Sequence, residues 1–297
     1  MQRNDAGCRL CGSLNQQTIG REIQKGNIYS IIRCMDCTLT YILETYAQVS
    51  PRYAGMAEED LDDTQKWLQR GHKEKAYGQF LELFLCLRGL KPSKGVSPSL
   101  LDVGCGIGGW LEFCGSHFTC YGFDASAAQT HYAAKKFPNV RCATSFSSYQ
   151  DQFNDWLPAF DLITLWDVLE HIGTPVKFAS ELSGALSADG LFFASVPAAT
   201  PMVIKNQLLS IGWPRSKFSW NPSEHVSYYS PKTLRLLCEK TNLKVLKIGG
   251  VAVYPRTLSL FELARRLAFK ITKPFPSISP QIFVLAKRKD PSQATSK

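Results

Sequence analysis

The sequence predicts an α/β protein, a mostly parallel sheet with helices on both faces, preceded by a small cysteine-rich module. Three observations predict it. From residue 100 onward, short apolar segments alternate with amphipathic ones, the pattern of strand–helix–strand units stacked into a covered sheet. A glycine-rich turn, Asp102-Val-Gly-Cys-Gly-Ile-Gly108, joins the first of these strands to a helix. Ahead of it, two Cys-x-x-Cys pairs stand within the first 45 residues.

Those pairs, Cys8/Cys11 and Cys34/Cys37, have the same spacing and are separated by 22 residues. In a reducing compartment this spacing reads as a closed tetrahedral zinc site, each pair on a tight knuckle with a hairpin between. Gly12 supplies the first knuckle's turn, whereas Thr38 stands where the second would favour glycine. A closed four-thiolate site leaves no open position for catalysis, so the zinc is expected to be structural. Cys86, Cys105, Cys114, Cys120, Cys142 and Cys238 lie in apolar surroundings and read as small core residues.

Residues 1–45 are therefore expected to form a zinc ribbon, and 46–99 a connection with a leading helix. The connection is polar and acidic over 46–63 and carries Tyr46 and Tyr53. Periodicity predicts a helix from Asp63 to Leu90, with Trp67, Tyr77, Phe80, Leu81, Phe84 and Leu87 on one face. The main domain spans 100–289. Strands are expected near 100–104, 118–123, 139–143, 160–166, 190–196, 243–251 and 281–287. Helices fall near 108–115, 126–137, 147–156 and 174–187, and Ser230-Pro231 opens another. Residues 198–229 form a long proline- and aromatic-bearing segment, the length of a functional lid. A basic amphipathic helix is expected over 257–271, and a disordered tail over 290–297.

The glycines at 104, 106 and 108 let a ligand approach the main chain where side chains would clash. Asp102 leaves a carboxylate beside the turn, and Asp124 ends the second strand about twenty residues on, the spacing for holding ribose hydroxyls. Phe160-Asp-Leu-Ile-Thr-Leu-Trp-Asp-Val-Leu-Glu-His171 brings another strand to the same sheet edge.

Together with Gly122-Phe-Asp-Ala-Ser126 and Gly190-Leu-Phe-Phe-Ala-Ser-Val-Pro197, these blocks resemble the Rossmann-like class I methyltransferases that use S-adenosylmethionine (SAM). The resemblance runs from about residue 100 to 251. It implies that Asp102, Gly104, Gly106 and Gly108 hold the methionine end, that Asp124 holds the ribose, and that Trp166 and Asp167 border the cofactor. Many relatives carry an acid after the third strand for the adenine amine; here Cys142-Ala-Thr-Ser145 leaves Ser145, Thr144 or a backbone group to serve. Asn221-Pro-Ser-Glu-His-Val-Ser-Tyr-Tyr229 resembles the Glu-His-x-Ser-Tyr segment of sugar C-methyltransferases. That likeness implies His225 as base and Glu224 as a sugar-holding group, although Pro222 replaces the family's tyrosine. His171, beside Glu170, is the alternative proton-transfer group.

The acceptor implied is a sugar nucleotide or a glycan, possibly lipid-linked, methylated on oxygen or carbon. The formal charge of +9, from 34 Lys+Arg against 25 Asp+Glu, favours anionic partners without choosing among them. It leaves room for peripheral membrane contact through 257–271. An RNA methyltransferase is the first rival, disfavoured because the segment between the cysteine pairs is poor in Lys and Arg. A methyltransferase fold that only binds is the second. No segment reads as a secretory signal or a membrane span, so a cytoplasmic location is expected.

Overall fold

The computed structural model describes residues 7–24, 26–44, 74–88, 97–153, 157–200, 202–203, 220–251 and 275–289. Tyr46, Tyr53, Trp67, most of the 198–229 segment, the helix expected over 257–271 and the tail lie outside the described residues.

The larger sheet has seven strands. β4 (Ser99–Val103) lies inside it, flanked in parallel by β5 (Thr119–Asp124) and the central strand β7 (Phe160–Trp166). β6 (Val140–Cys142) extends one side and β8 (Leu186–Pro197) the other, both parallel to their neighbours. β11 (Gln281–Arg288) is antiparallel to β8 and to the last strand, β10 (Leu243–Gly250). The order is β10-β11-β8-β7-β4-β5-β6. This is a doubly wound sheet whose chain order reverses beside β4, the place where such sheets bind ligands beyond their carboxyl ends.

Both faces are covered, as the unbroken apolar strands require. α1 (Glu74–Arg88) buries Tyr77, Phe80, Leu81 and Phe84, while Leu87 at its end is 49% exposed. Phe80 contacts Trp166, Phe193 and Phe283 in one aromatic layer. The remaining helices are α2 (Gly109–Cys114), α3 (Ala127–Ala134), α4 (Phe146–Gln150), α5 (Pro175–Gly184) and α6 (Pro231–Lys240). Two differ from expectation. The helix expected over 147–156 is one short turn running into a 3-10 turn at Asp151–Phe153, and α5 stops at Gly184 so that β8 begins at Leu186. There Leu186 pairs with Phe160, and this sheet pairing overrides local helix propensity.

The smaller sheet is antiparallel, in the order β1-β2-β3-β9. β1 (Gln16–Gln24), β2 (Asn27–Cys34) and β3 (Thr40–Ile42) come from the N-terminal module. β9 (Ser227–Tyr228) comes from the far end of the 198–229 segment. Thr40 pairs with Tyr228 and Tyr41 with Ser227. Arg9 fastens the seam, its two guanidinium amines donating to the carbonyls of Val226 (3.0 Å) and Ile42 (2.7 Å). One apolar core runs from Cys8 and Leu10 through Tyr41 to Tyr229 and the interior of the large sheet. The module and the C-terminal end of the expected lid are thus one packed body, with Ser227, Tyr228 and Tyr229 at most 1% exposed.

Candidate functional site

The four cysteines of the two pairs converge. Their sulfurs all lie within 4.8 Å of one another, with Cys8 and Cys37 3.6 Å apart and Cys11 and Cys34 3.5 Å apart. A tetrahedral zinc with bonds near 2.3 Å sets its sulfurs roughly 3.8 Å apart, so the donor set fits that ion. The backbone wraps the sulfurs as knuckles do. Gly12 N–H donates to Cys8 O and Thr38 N–H to Cys34 O, while the amides of Cys37 and Leu39 point to the sulfurs of Cys34 and Cys37. Thr38 has φ +72°, nearly that of Gly12 at +79°. The hydrogen bond shared by Cys8 and Cys37 lowers the pKa of the first thiol and raises that of the second.

The glycine turn follows β4, with φ of +70°, +54° and +86° at Gly104, Gly106 and Gly108. Its amides are largely engaged within the turn. Gly104 and Cys105 donate to Phe123 O, Gly106 to Asp124 Oδ2 and Gly108 to Cys105 O. At these positions the turn offers a ligand open main chain rather than a row of free N–H groups. A Cβ on Gly104 would stand 2.3 Å from Cγ2 of Val168, so only glycine lets β7's continuation close over the turn.

Asp124 accepts from Gly106 N at 3.0 Å and from Ser126 N at 2.9 Å, one bond to each oxygen. A carboxylate has about four acceptor positions, so the neighbouring amides do not use all of its acceptor capacity. Burial raises its pKa above the ordinary aspartate value, opposed by those amides and by nearby His171. Asp102 is only 3% exposed and accepts from Thr164 Oγ1 at 2.7 Å. It sits within the sheet and braces the strand end below the turn. Ser145 is the N-cap of α4, its oxygen accepting from Ser148 N and its hydroxyl donating to Ser148 Oγ. This capping box occupies the hydroxyl expected to face adenine.

Trp166 ends β7 against Tyr77, Trp110 and Phe193. Asp167 next to it takes a left-handed φ of +59°. Its Oδ1 accepts from Gln281 Nε2 (2.6 Å) and Ser195 Oγ (3.3 Å). Neither partner was identifiable in the sequence, because β11 and β8 reach Asp167 only through sheet order. The chain then turns through a 3-10 segment, Leu169–His171.

Here the two histidines meet. The rings of His171 and His225 are 5.0 Å apart, edge to face, although 54 positions separate them. His171 Nδ1 lies 2.6 Å from the carbonyl of Glu224, so that nitrogen carries the proton and Nε2 keeps its lone pair. His225 is largely buried, and desolvation first, then the neighbouring His171, lower its pKa to about 4. The turn carrying it is held from the small sheet: Gln24 bonds Asn221 and Ser223, while Val226 N donates to Glu170 O. Glu224 sends its carboxylate to Asn221 Nδ2 at 2.7 Å, so the expected sugar-holding group serves the turn itself. Glu170, 1% exposed, joins the two histidines, the three ligating atoms lying within 4.8 Å of one another. Sequence reading treated Glu170 only as a neighbour of His171; the Asp-x-x-Glu-His run after a strand was its signal.

Among solved structures, an S-adenosylmethionine-dependent methyltransferase from Clostridium acetobutylicum ATCC 824 matches with a TM-score of 0.51 and 16% identity, over 78% of this chain and 98% of that one. The plantazolicin methyltransferase, solved with a triazolic desmethylPZN analogue and S-adenosylhomocysteine (SAH), matches at 0.50 and 15%, over 78% and 91%. These likenesses concern the fold. No curated protein matches the sequence. The family model described as a methyltransferase domain matches residues 70–248, more than half of the chain. The chain belongs to that family and is a SAM-dependent methyltransferase.

Proposed function

We propose that the enzyme methylates a small acceptor, a sugar nucleotide or glycan in first place, at oxygen or carbon. The cofactor would lie over the glycine turn, with its ribose on Asp124 and Trp166 and Asp167 at its border. Gly104, Gly106 and Gly108 give it clearance, while Asp102 holds the turn's strand in place. The adenine contact falls to Ser145, Thr144 or backbone beside them; Ser145 caps α4, and its hydroxyl oxygen keeps a second acceptor position for the amine. The four cysteines would bind zinc, which holds the small sheet and, through β3 and β9, the turn bearing Glu224 and His225.

The observation that carries this reading is the meeting of His225 with His171, rings 5.0 Å apart, where His171 lies on the segment after β7 whose Val168 closes over the glycine turn. Groups able to handle a proton therefore adjoin the place where the cofactor's reactive end would arrive. Methyl transfer is an in-line displacement, so the protein's main task is alignment. The acceptor loses a proton, its electron pair attacks the methyl carbon, and the carbon–sulfur pair returns to sulfur as SAH leaves. His171, with Nδ1–H pinned on Glu224 and Nε2 basic, is better oriented for that proton than His225, whose burial weakens it as a base.

Calorimetric titration of SAH into the zinc-loaded protein tests the donor site. Micromolar binding is expected, weakened at least tenfold in Asp124→Ala. A panel of nucleotide sugars with labelled SAM tests the acceptor, and absence of SAH binding would remove the reading. His171→Ala is expected to bind SAH yet lose turnover by roughly 10²-fold or more, and His225→Ala to lose less.

A further inference from the structure

We infer that Glu170, His171 and His225 form a binding site for a divalent transition-metal ion at the acceptor end of the cleft, separate from the four cysteines. One carboxylate oxygen and two imidazole nitrogens lie within 4.8 Å of one another, a span little more than two metal–nitrogen bonds of about 2.1 Å. Two histidines and one carboxylate are a donor set for zinc, iron and manganese that leaves positions open for water or substrate.

Each histidine is prepared for a ligand. His171 spends Nδ1 on the Glu224 carbonyl, the outer hydrogen bond that orients a metal-bound imidazole and leaves Nε2 to coordinate. His225 has a buried Nδ1 with no hydrogen-bond partner among the described residues, an arrangement that costs free energy unless something fills it. The three residues come from two chain segments clamped together, Val226 N donating to Glu170 O at 2.9 Å. This is the rigidity a preformed site needs. Asp167 and Asp124 add negative charge nearby, since both act on the histidines electrostatically.

In catalysis the ion's role rests on the proposed methyl transfer. With His171 Nε2 on the metal, the ion would replace that nitrogen's role as base: an acceptor oxygen bound to the cation would lose its proton to water more readily. It then attacks the methyl carbon as the carbon–sulfur bond breaks. The substrate class that fits is a hydroxyl with an adjacent hydroxyl or carboxylate, able to take two open positions.

Two readouts test the site in the intact chain with its cysteine site filled by one zinc equivalent. Electron paramagnetic resonance measures Mn²⁺ binding, and metal analysis measures a second zinc. One further equivalent is expected, with affinity reduced at least tenfold in both Glu170→Gln and His225→Gln. SAH binding serves as the fold control for each variant. Should Glu170→Gln fail to fold, His225→Gln carries the test. No second equivalent, or binding unchanged by both substitutions, would overturn the inference. Mn²⁺ binding without SAH binding supports the cation site while removing the methyl-transfer reading, and SAH binding without a second metal does the reverse.

Discussion

Three single positions show how backbone and burial decide chemistry here. Thr38 occupies the left-handed region at φ +72° in a knuckle whose twin uses Gly12, a conformation costing a β-branched residue about 1–2 kcal/mol. Thr38→Gly is expected to stabilise the zinc-loaded protein by roughly 0.5–1 kcal/mol, part of the relief being offset by glycine's freedom in the unfolded chain. Urea denaturation checks it. Gly104→Ala combines φ +70° with a Cβ 2.3 Å from Val168. It should cost about 1–3 kcal/mol and abolish SAH binding even where the variant stays folded. Asp124 has a raised pKa because it is buried. In the proposed site the ionised form accepts ribose hydroxyls, so affinity should be full above that raised value and be lost as pH falls through it. SAH titrations from about pH 7 to 4 should show the loss beginning above the range of a solvated aspartate, near 3.9. Asp124→Asn should be weak and nearly pH-independent.

At the scale of elements, the seam between β3 and β9 is the informative joint. Arg9 bridges the carbonyls of Ile42 and Val226, and burial lowers its pKa, so its charge is partly desolvated and the bonds are worth more than surface ones. Arg9→Ala is expected to destabilise by about 1.5–3 kcal/mol, measurable in thermal unfolding. Much of the large sheet was legible from local pattern. β4, β5 and β7 are apolar runs ending at Gly104, Asp124 and Asp167, and hydrophobic periodicity is a local property. The short β9 was not legible, because two residues pair only through tertiary placement against β3. Ser145 likewise reads in sequence as a spare polar group, and only its capping geometry shows the hydroxyl engaged.

Across the whole molecule, the cysteine cluster and the acceptor end are mechanically linked. Cys34 ends β2, β3 follows it, and β3 pairs with the strand just after His225. Chelating the zinc proposed at the four cysteines should therefore loosen Val226–Tyr228, seen as faster amide exchange there, while β4 and β5 stay protected. Equal exchange with and without chelator would refute this linkage. By itself, the sequence determined the local elements of the large sheet: the glycine turn, the positions of the strands that end at Asp124 and Asp167, and the cysteine spacing are all encoded within stretches of about forty residues, where backbone freedom and hydrophobic period leave a direct trace. Tertiary structure alone decided the acceptor half. It brought His171 against His225, buried Glu170 beside them, turned the Glu224 carboxylate onto Asn221 and set Gln281 on Asp167. Such contacts join segments far apart in the chain, and their energies depend on burial and direction, which no local pattern records.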